Sequence, residues 1–338
     1  MLRLPPFRYL APRSVEEAVR LFADAGPETM LVAGGTDLYP NMKRRQFEPK
    51  TLVGLRGIAE LRGVRGSARD GLAIGAGTPL TAVSVHPEIV RHYPAVAIAA
   101  GLVSSPQLRN MGTIGGNVCV DTRCNYYNQT HQWRKAIGFC MKKDGEICLV
   151  APGSPRCWAV SSSDTAPAFW SLGARVRLVG PAGDRSIPLA ALYRDDGIEY
   201  LAKRADEIVT DILLPPADGW TSIYLKLRRR GSFDFPVLGV AVAARLEGDV
   251  VRDARIVLGA VASLPREASA AQAALRGERL TRELIERVAG MAAGPAKPLD
   301  NTDFTHPYRK KVTRVFVARA LRRIAGLPES PRNDEEVA

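Results

Sequence analysis

The chain has 338 residues and an ordinary globular composition, 46% hydrophobic and 24% charged, which excludes a disordered protein and suits two domains. No apolar run approaches the roughly 18 residues of a membrane-spanning helix, and the N-terminal residues lack the apolar core of a signal peptide, so we expect a cytoplasmic protein. The formal net charge of +12 is spread along the chain without the signature of a nucleic-acid-binding module, which favours docking of an acidic partner protein or a generic basic surface.

Helix and strand patterns alternate in the first third of the chain. Ser14 and Glu17 form a capping-box pair, followed by apolar residues at helical spacing, which predicts a helix over residues 14–25. Short apolar runs beside glycine predict strands. Strands are expected at 30–33, 52–55, 72–77 and 118–120, and a further helix at 95–101.

Residues 122–158 differ from their surroundings. They are rich in Asn, Gln, Arg, Lys and Cys and have no clear helical or strand period, which indicates an insertion folded around something other than an apolar core. The excess of basic over acidic residues here favours an acidic electron carrier, with a solvated loop as the equal alternative. The basic residues are Arg123, Arg134, Lys135, Lys142, Lys143 and Arg156.

The second half of the chain begins with a predicted strand at 174–179. Pro215–Pro216 and Asp218–Gly219 then mark a predicted domain boundary. Strands are expected at 223–230, 237–246 and 254–260, antiparallel because their connections are short, and helices at 266–275, 280–293 and 307–325. We therefore predict an α+β fold with a first domain at 1–217, a second at 221–326 and a disordered tail at 327–338.

Two glycine-rich turns are candidates for an anion site. Ala33–Asp37 ends an apolar run, and Thr113–Asn117 leads into another. Glycine lets backbone N–H groups approach a pyrophosphate closely, and the hydroxyls of Thr36 and Thr113 add donors. Neither turn matches the G-x-G-x-x-G pattern or opens a clear βαβ unit, which disfavours a Rossmann site, and a plain tight turn is the alternative for each.

The five cysteines all lie between residues 119 and 157. Because cytosolic proteins rarely use disulfides, such a group favours metal binding or redox chemistry. Cys119 suits a small buried residue, whereas Cys124, Cys140, Cys148 and Cys157 lie in polar sequence and are predicted ligands. The absence of C-x-x-C argues against common zinc and ferredoxin motifs, but spacing alone does not choose between zinc and an iron–sulfur cube.

These motifs together resemble a known family, the FAD-binding medium subunit of the molybdenum hydroxylases, the xanthine dehydrogenase and carbon monoxide dehydrogenase group. The matching segments are Ala33–Leu38, Thr113–Asn117, Ser163–Asp164, Lys226 with Arg229 and Arg230, and Tyr308–Lys310. The resemblance covers about residues 5–326. It implies a two-part FAD-binding domain of the PCMH and vanillyl-alcohol oxidase type, followed by a smaller α+β domain with an antiparallel sheet, of the carbon monoxide dehydrogenase flavoprotein C-terminal type.

The cysteine insertion limits the resemblance to fewer members of the group. Most of the group lack it, whereas Cys124–Gln129 with the three later cysteines is similar to the β subunit of 4-hydroxybenzoyl-CoA reductase. That resemblance implies a [4Fe–4S] cluster, rather than zinc, on Cys124, Cys140, Cys148 and Cys157. It also implies a molybdenum-cofactor large subunit, a small subunit with two [2Fe–2S] clusters, a ferredoxin-type donor and a dimer of heterotrimers, with no nucleic-acid or membrane partner.

The resemblance also implies flavin contacts. Residues 31–38 and 113–117 would surround the pyrophosphate and ribityl chain, Asp164 and Lys226 would lie nearer the ring system, and two valines would add apolar contacts. A lysine at the flavin N1–C2 edge would stabilise an anionic reduced flavin; taken alone, this lysine suits a solvated position and the aspartate a cap. No catalytic residue is implied. The predicted FAD contacts are Leu31, Val32, Ala33, Gly34, Gly35, Thr36, Asp37, Leu38, Val103, Thr113, Ile114, Gly115, Gly116, Asn117, Asp164, Val209 and Lys226.

The leading hypothesis from this resemblance is an electron-transfer subunit of a 4-hydroxybenzoyl-CoA reductase of anaerobic aromatic degradation. Electrons from ferredoxin would pass through [4Fe–4S] and FAD to the partner clusters and molybdenum, where the substrate is reductively dehydroxylated to benzoyl-CoA. One alternative is the FAD subunit of a related molybdenum dehydrogenase that oxidises another aromatic or heteroaromatic substrate. Another is a non-enzymatic zinc protein with four cysteine ligands that binds nucleic acid.

Overall fold

The structure is a computed structural model that describes residues 2–328, and within them the chain forms three sheets with packed helices. The strands are β1 (Arg8–Leu10), β2 (Thr29–Val32), β3 (Thr51–Gly54), β4 (Val64–Ser67), β5 (Gly71–Gly75), β6 (Arg175–Gly180), β7 (Gly183–Pro188), β8 (Ile208–Leu214), β9 (Trp220–Leu227), β10 (Leu238–Glu247), β11 (Val250–Gly259) and β12 (Arg266–Glu267). The helices are α1 (Val15–Asp24), α2 (Leu38–Lys43), α3 (Leu80–Val85), α4 (Pro87–His92), α5 (Pro94–Gly101), α6 (Pro106–Met111), α7 (Ile114–Val118), α8 (His131–Ala136), α9 (Thr165–Ser171), α10 (Ser269–Ala273), α11 (Arg282–Ala292) and α12 (His306–Ile324). No helix of the described chain is both long enough and apolar enough to cross a bilayer.

The first sheet is small and parallel, with strand order β1-β3-β2. Helix α1 begins where predicted, because the Ser14 hydroxyl accepts the Glu17 amide at 3.1 Å, and it packs Ala18 and Val19 against Val53 of β3. Strand β2 ends at Val32, so the first glycine turn lies at the carboxyl end of a parallel strand, and α2 follows at once.

The second sheet is antiparallel, with strand order β4-β5-β8-β6-β7. Its apolar face packs on α5 and α9, whose side chains are almost entirely buried in the largest core of the described chain. Helix α5 is apolar on all sides, as expected of a helix that is covered over most of its surface, with Ile98 as its exposed residue. Helix α7 contacts β8, which places the second glycine turn above this sheet.

The third sheet is antiparallel, with strand order β12-β11-β10-β9, and β10 is buried on both of its faces. Ala241 and Ala243 face the core beneath α9, whereas Val240 and Val242 face a second core under α11 and α12. Arg309 of α12 is fully buried and donates to the carbonyls of Val237 and Leu299, at 3.1 and 2.9 Å, and to that of Ala260.

Most predicted elements are confirmed with boundaries shifted by a few residues, including α1, α5, α11, α12 and the antiparallel β9, β10 and β11. The strand expected at 118–120 is wrong. The Thr113 hydroxyl accepts the Gly116 amide at 3.1 Å and starts α7, so Cys119 ends a helix instead. The helix expected at 266–275 is wrong at its start, because β12 pairs with β11 there. The tail from 329 lies outside the described residues.

Candidate functional site

The first glycine turn approaches neighbouring backbone so closely that no side chain fits. A Cβ on Gly34 would lie 2.0 Å from the carbonyl oxygen of Met111, and Gly35 has a φ of +70°, which L side chains rarely adopt. The backbone N–H groups of residues 34–37 have no acceptor within the described chain. A run of such donors in a turn forms an anion-binding concavity, so this turn suits a phosphate group.

The second glycine turn has a different local arrangement. The amides of residues 114–117 already have acceptors: Gly115 donates to the carbonyl of Ala76 at 2.9 Å, and Gly116 donates to the Thr113 hydroxyl at 3.1 Å. A Cβ on Gly115 would lie 2.5 Å from the Cβ of Ala76. This turn therefore packs tightly on the sheet. Both turns were expected to offer backbone amides to an anion, but only the first has amides without an acceptor in the described chain.

The two turns and the segment before α9 lie together. The hydroxyl of Thr36 lies 3.3 Å from the position that a Cβ on Gly112 would take, so the first turn lies against the residue directly before the second. The carboxamide oxygen of Asn117 accepts the hydroxyls of Ser163 and Thr165, at 3.0 and 2.7 Å. Three of the predicted contact groups, separated by up to 130 residues, thus form one continuous surface.

A buried ion pair extends this surface to the third sheet. Lys226 Nζ donates to Asp164 Oδ2 at 2.9 Å and to the carbonyl of Leu102 at 3.1 Å, and Tyr224 donates its hydroxyl to Asp164 Oδ1 at 2.9 Å. The two charged side chains are 1% and 2% exposed. Val103 follows Leu102 directly, so this predicted apolar contact lies beside the pair.

Burial acts against both charges of the pair. It raises the pKa of Asp164 and lowers the pKa of Lys226, while their mutual attraction and the hydrogen bonds described above favour the charged forms. The lysine is therefore held by protein acceptors rather than solvated, and the aspartate does not act as a side-chain cap for α9. Val209 is buried on β8 in the largest core, and its role as a flavin contact stays a prediction.

The insertion holds α2, which begins directly after the first turn. Arg134 is fully buried and donates to the carbonyls of Arg44 and Arg45, at 3.2 and 3.0 Å, at the carboxyl end of α2. Near its amino end, Arg123 pairs with Asp37 and also contacts Asn41 Oδ1 at 3.4 Å. The insertion therefore fixes both ends of the helix that positions the first glycine turn.

We expect Arg134→Met to weaken FAD binding about tenfold, which corresponds to ~1.4 kcal/mol. The substitution leaves two partly buried carbonyls at the end of α2 without their donor, so the helix and the adjoining turn lose a fixed position. The measurement is the FAD dissociation constant of the reconstituted complex from flavin fluorescence. Lys135→Met changes an exposed neighbour on α8 and should have no effect. Equal affinities for the two variants would contradict the expectation.

The four insertion cysteines are buried in one part of the molecule. Cys124, Cys140 and Cys157 belong to a single buried cluster with Tyr127, and their exposed fractions lie between 5% and 8%. Cys148 is also buried, and it lies close enough to Cys157 to help raise the pKa of that thiol. The structure thus places three of the four predicted ligands in one cluster, with Cys148 outside it but nearby.

Burial and backbone amides have opposite effects on these thiols. Burial raises the pKa of Cys124 to about 12 and that of Cys157 to about 11. The amide of Ala159 donates to the Cys157 sulfur at 3.4 Å, which favours the thiolate of that residue, whereas the amide of Tyr127 donates to the backbone carbonyl of Cys124. Amide donors to buried sulfur suit ligands that are held as thiolates.

No group of three or more His, Cys, Asp or Glu side chains in residues 2–328 is arranged to hold a metal ion. The cysteines therefore do not form a compact site for one zinc ion, and the cluster predicted on them stays a prediction. Cys119 lies apart, packed against the largest core, and burial raises its pKa to about 11.

Two parts of this site were missed by sequence reasoning. Tyr224 lies two residues before Lys226 on β9 and shares its face, so the strand period could have identified it. No sequence pattern indicated the role of Arg134. Its acceptors are carbonyls of a helix that is distant in sequence, so its neighbours in sequence do not reveal them.

Comparisons with known proteins cover nearly the whole chain. The family model of the FAD binding domain in molybdopterin dehydrogenase matches residues 5–217, and that of the CO dehydrogenase flavoprotein C-terminal domain matches residues 222–324. The carbon monoxide dehydrogenase medium chain of Hydrogenophaga pseudoflava is 29% identical over 318 residues, 94% of this chain and 96% of that protein. The FAD-binding subunit of an aldehyde oxidoreductase of Escherichia coli strain K12 is 33% identical over 284 residues, 80% of this chain and 86% of that protein.

A solved structure supports the same relationship. Carbon monoxide dehydrogenase from Hydrogenophaga pseudoflava, in a form that lacks the Mo-pyranopterin moiety of its cofactor, matches with a TM-score of 0.78 and 30% identity. The match covers 94% of this chain and 97% of that one. The predicted two-part FAD-binding fold with an antiparallel C-terminal α+β domain is confirmed.

Proposed function

The chain belongs to the FAD-binding subunits of the molybdopterin dehydrogenases, and from this premise we propose that it is the FAD- and [4Fe–4S]-carrying electron-transfer subunit of a molybdenum enzyme of the 4-hydroxybenzoyl-CoA reductase type. Its partners are a large molybdenum-cofactor subunit and a small subunit with [2Fe–2S] clusters, in a heterotrimer that pairs with a second copy. A ferredoxin-type protein supplies the electrons, and the aromatic hydroxyl group is removed on the large subunit.

The observation that carries this proposal is the set of four buried cysteines in a polar insertion that holds the FAD-binding turn. The polar composition of the insertion gives no reason to bury four thiols, and the amide of Ala159 donates to the Cys157 sulfur as it would to a thiolate ligand. In an iron–sulfur cube each thiolate binds a different iron, so the ligands stand further apart than those of one ion. Lack of a compact single-ion group is therefore compatible with a cluster.

The FAD assignment rests on the first glycine turn and the buried pair. The free amides of residues 34–37 would hold the pyrophosphate, and Gly34 admits the close approach because it lacks a side chain. Lys226 and Asp164 would form a fixed polar wall nearer the ring system. When bound, FAD and the cluster supply one- and two-electron transfer, and the residues of this chain hold and orient them.

The alternative function keeps the family and changes the substrate. The relatives described above include carbon monoxide dehydrogenase and aldehyde oxidoreductase subunits, and a nicotinate dehydrogenase FAD-subunit of Eubacterium barkeri is 28% identical over 286 residues. These names favour a dehydrogenase that oxidises its substrate. The zinc alternative has no support, because the family is a flavoprotein family and the described cysteines form no compact single-ion site.

The test is the cofactor content and reaction of the heterotrimer, co-expressed and handled without oxygen. We expect one FAD per chain, iron beyond that of the small subunit's clusters, and benzoyl-CoA from 4-hydroxybenzoyl-CoA with reduced ferredoxin. The same preparation is assayed with NAD and with artificial acceptors on aromatic and heteroaromatic substrates. Iron at the level of the small subunit alone, or turnover only in the oxidative direction, contradicts the proposal.

A further inference from the structure

The basic residues of the insertion are mostly unavailable to a partner protein. Arg123, Arg134 and Lys142 are buried, and Lys142 Nζ donates to Asp121 at 2.8 Å. Arg156 pairs with Asp195 at 3.1 Å. Lys143 pairs with Asp144 at 3.2 Å, which leaves Lys135 as the exposed basic residue of the insertion without an acidic partner in the described chain. A larger basic surface for an acidic carrier therefore has to be found elsewhere.

A basic hollow of about 520 Å³ lies where the insertion meets the carboxyl end of α2. Arg3, Lys43 and Arg44 line it, and within the described chain none of their side chains has an acidic partner. Arg45, also in the wall, pairs at 3.2 Å with Glu48, the acidic residue of the lining. The hollow thus has a net positive charge formed mainly by unpaired side chains.

The hollow is connected to the buried cysteines by two aromatic rings. His131 lines the hollow, and its ring centroid is 5.7 Å from that of Phe139. Phe139 precedes Cys140 directly and also lies under the guanidinium of Arg134, at 5.7 Å. The hollow is therefore linked to the residue before Cys140 by these two rings.

We propose that this hollow is the docking surface for a small acidic electron-carrier protein, whose carboxylates meet Arg3, Lys43 and Arg44. The proposal rests on the function proposed above, since a carrier is needed only if the cysteines hold a redox cluster. Charge complementarity guides the association and the specificity of protein partners. Electron-transfer complexes have small interfaces and are transient, and a basic hollow of this size suits such an interface. An acidic protein fits this hollow better than nucleic acid, because its lining offers one small aromatic ring and no stacking platform.

Binding of an acidic bacterial ferredoxin to the purified heterotrimer tests the proposal. We expect Lys43→Glu combined with Arg44→Glu to raise the dissociation constant at least 30-fold at low ionic strength, and high salt to weaken binding to the unmodified heterotrimer strongly. FAD and iron contents should not change. The matched control is Arg287→Glu with Lys311→Glu, two exposed residues of α11 and α12 with the same change in charge, and it should alter binding less than twofold.

Three outcomes overturn the proposal. The first is equal ferredoxin affinity in the two double variants, and the second is competition by duplex DNA for the same surface. The third is a Lys43 and Arg44 variant that keeps FAD and iron but no longer assembles with its subunits, which would make the hollow a subunit interface. Because iron content is measured separately, failure of docking is distinguished from absence of the cluster itself.

Discussion

Cys140→Ser is expected to remove the iron that the heterotrimer holds beyond its small-subunit clusters, while FAD stays bound. Serine preserves the size of the buried side chain but replaces the thiolate, the ligand that iron–sulfur clusters require. The same loss is expected for Cys124 and Cys157, which share the buried cluster of Cys140, and for Cys148, which is also buried. The measurements are iron and acid-labile sulfide per flavin, with electron paramagnetic resonance of the reduced complex.

Cys119→Ser is the matched control for these variants. Cys119 is a cysteine of the same stretch of chain, but it ends α7 and packs against a different core. Its substitution should leave the iron content unchanged. If the Cys140 and Cys119 variants hold equal iron, the cysteine group is not a cluster site.

Asp164→Ala is expected to lower the free energy of unfolding by about 3–5 kcal/mol, because it leaves the ammonium of Lys226 buried without its counter-charge. The pKa of this lysine, already lowered by burial, should fall further in the variant. A lysine pKa below its unfolded value penalises folding at low pH and less so as pH rises, so the variant should regain stability with increasing pH. Denaturant unfolding over a pH series measures both effects.

The double variant Asp164→Leu with Lys226→Met provides the control for this pair. Replacing both charges with apolar side chains of similar size removes the unpaired ion, so most of the lost stability should return. FAD binding should nevertheless be weaker than in the unmodified protein, because the polar wall is gone. A single Asp164→Ala variant as stable as the unmodified protein at neutral pH would show that the pair is not buried as described.

Local chemistry made much of the fold predictable. The Ser14 hydroxyl starts α1 by accepting the amide of Glu17 at 3.1 Å, so the information for this helix lies within one turn of the chain. The short apolar strands beside glycine were also predicted, because their pattern is local in the sequence. The strand expected at 118–120 failed because the helix cap at Thr113 outweighs the strand preference of two valines.

Contacts between distant residues were not predictable in this way. The resemblance implied that Asp164 and Lys226 lie near the flavin, but it did not imply their ion pair, which joins residues 62 positions apart on different elements. The charge of the insertion also led us to expect that its arginines are exposed. Arg123 and Arg134 are instead buried, because their guanidinium groups can donate to carboxylate and carbonyl acceptors in the interior. Which acceptors they meet depends on the completed fold.

Strand β10 has a consequence for the cooperativity of the whole chain. Its alternate side chains contribute to two cores, so Ala241 and Ala243 complete a hydrophobic interior whose other walls come mostly from residues before 217. Severing the chain between β8 and β9 would uncover that interior in one fragment and leave the third sheet with a bare apolar face in the other. The two halves that match separate family models should therefore unfold in a single thermal transition. Loss of structure in either half should also weaken FAD binding.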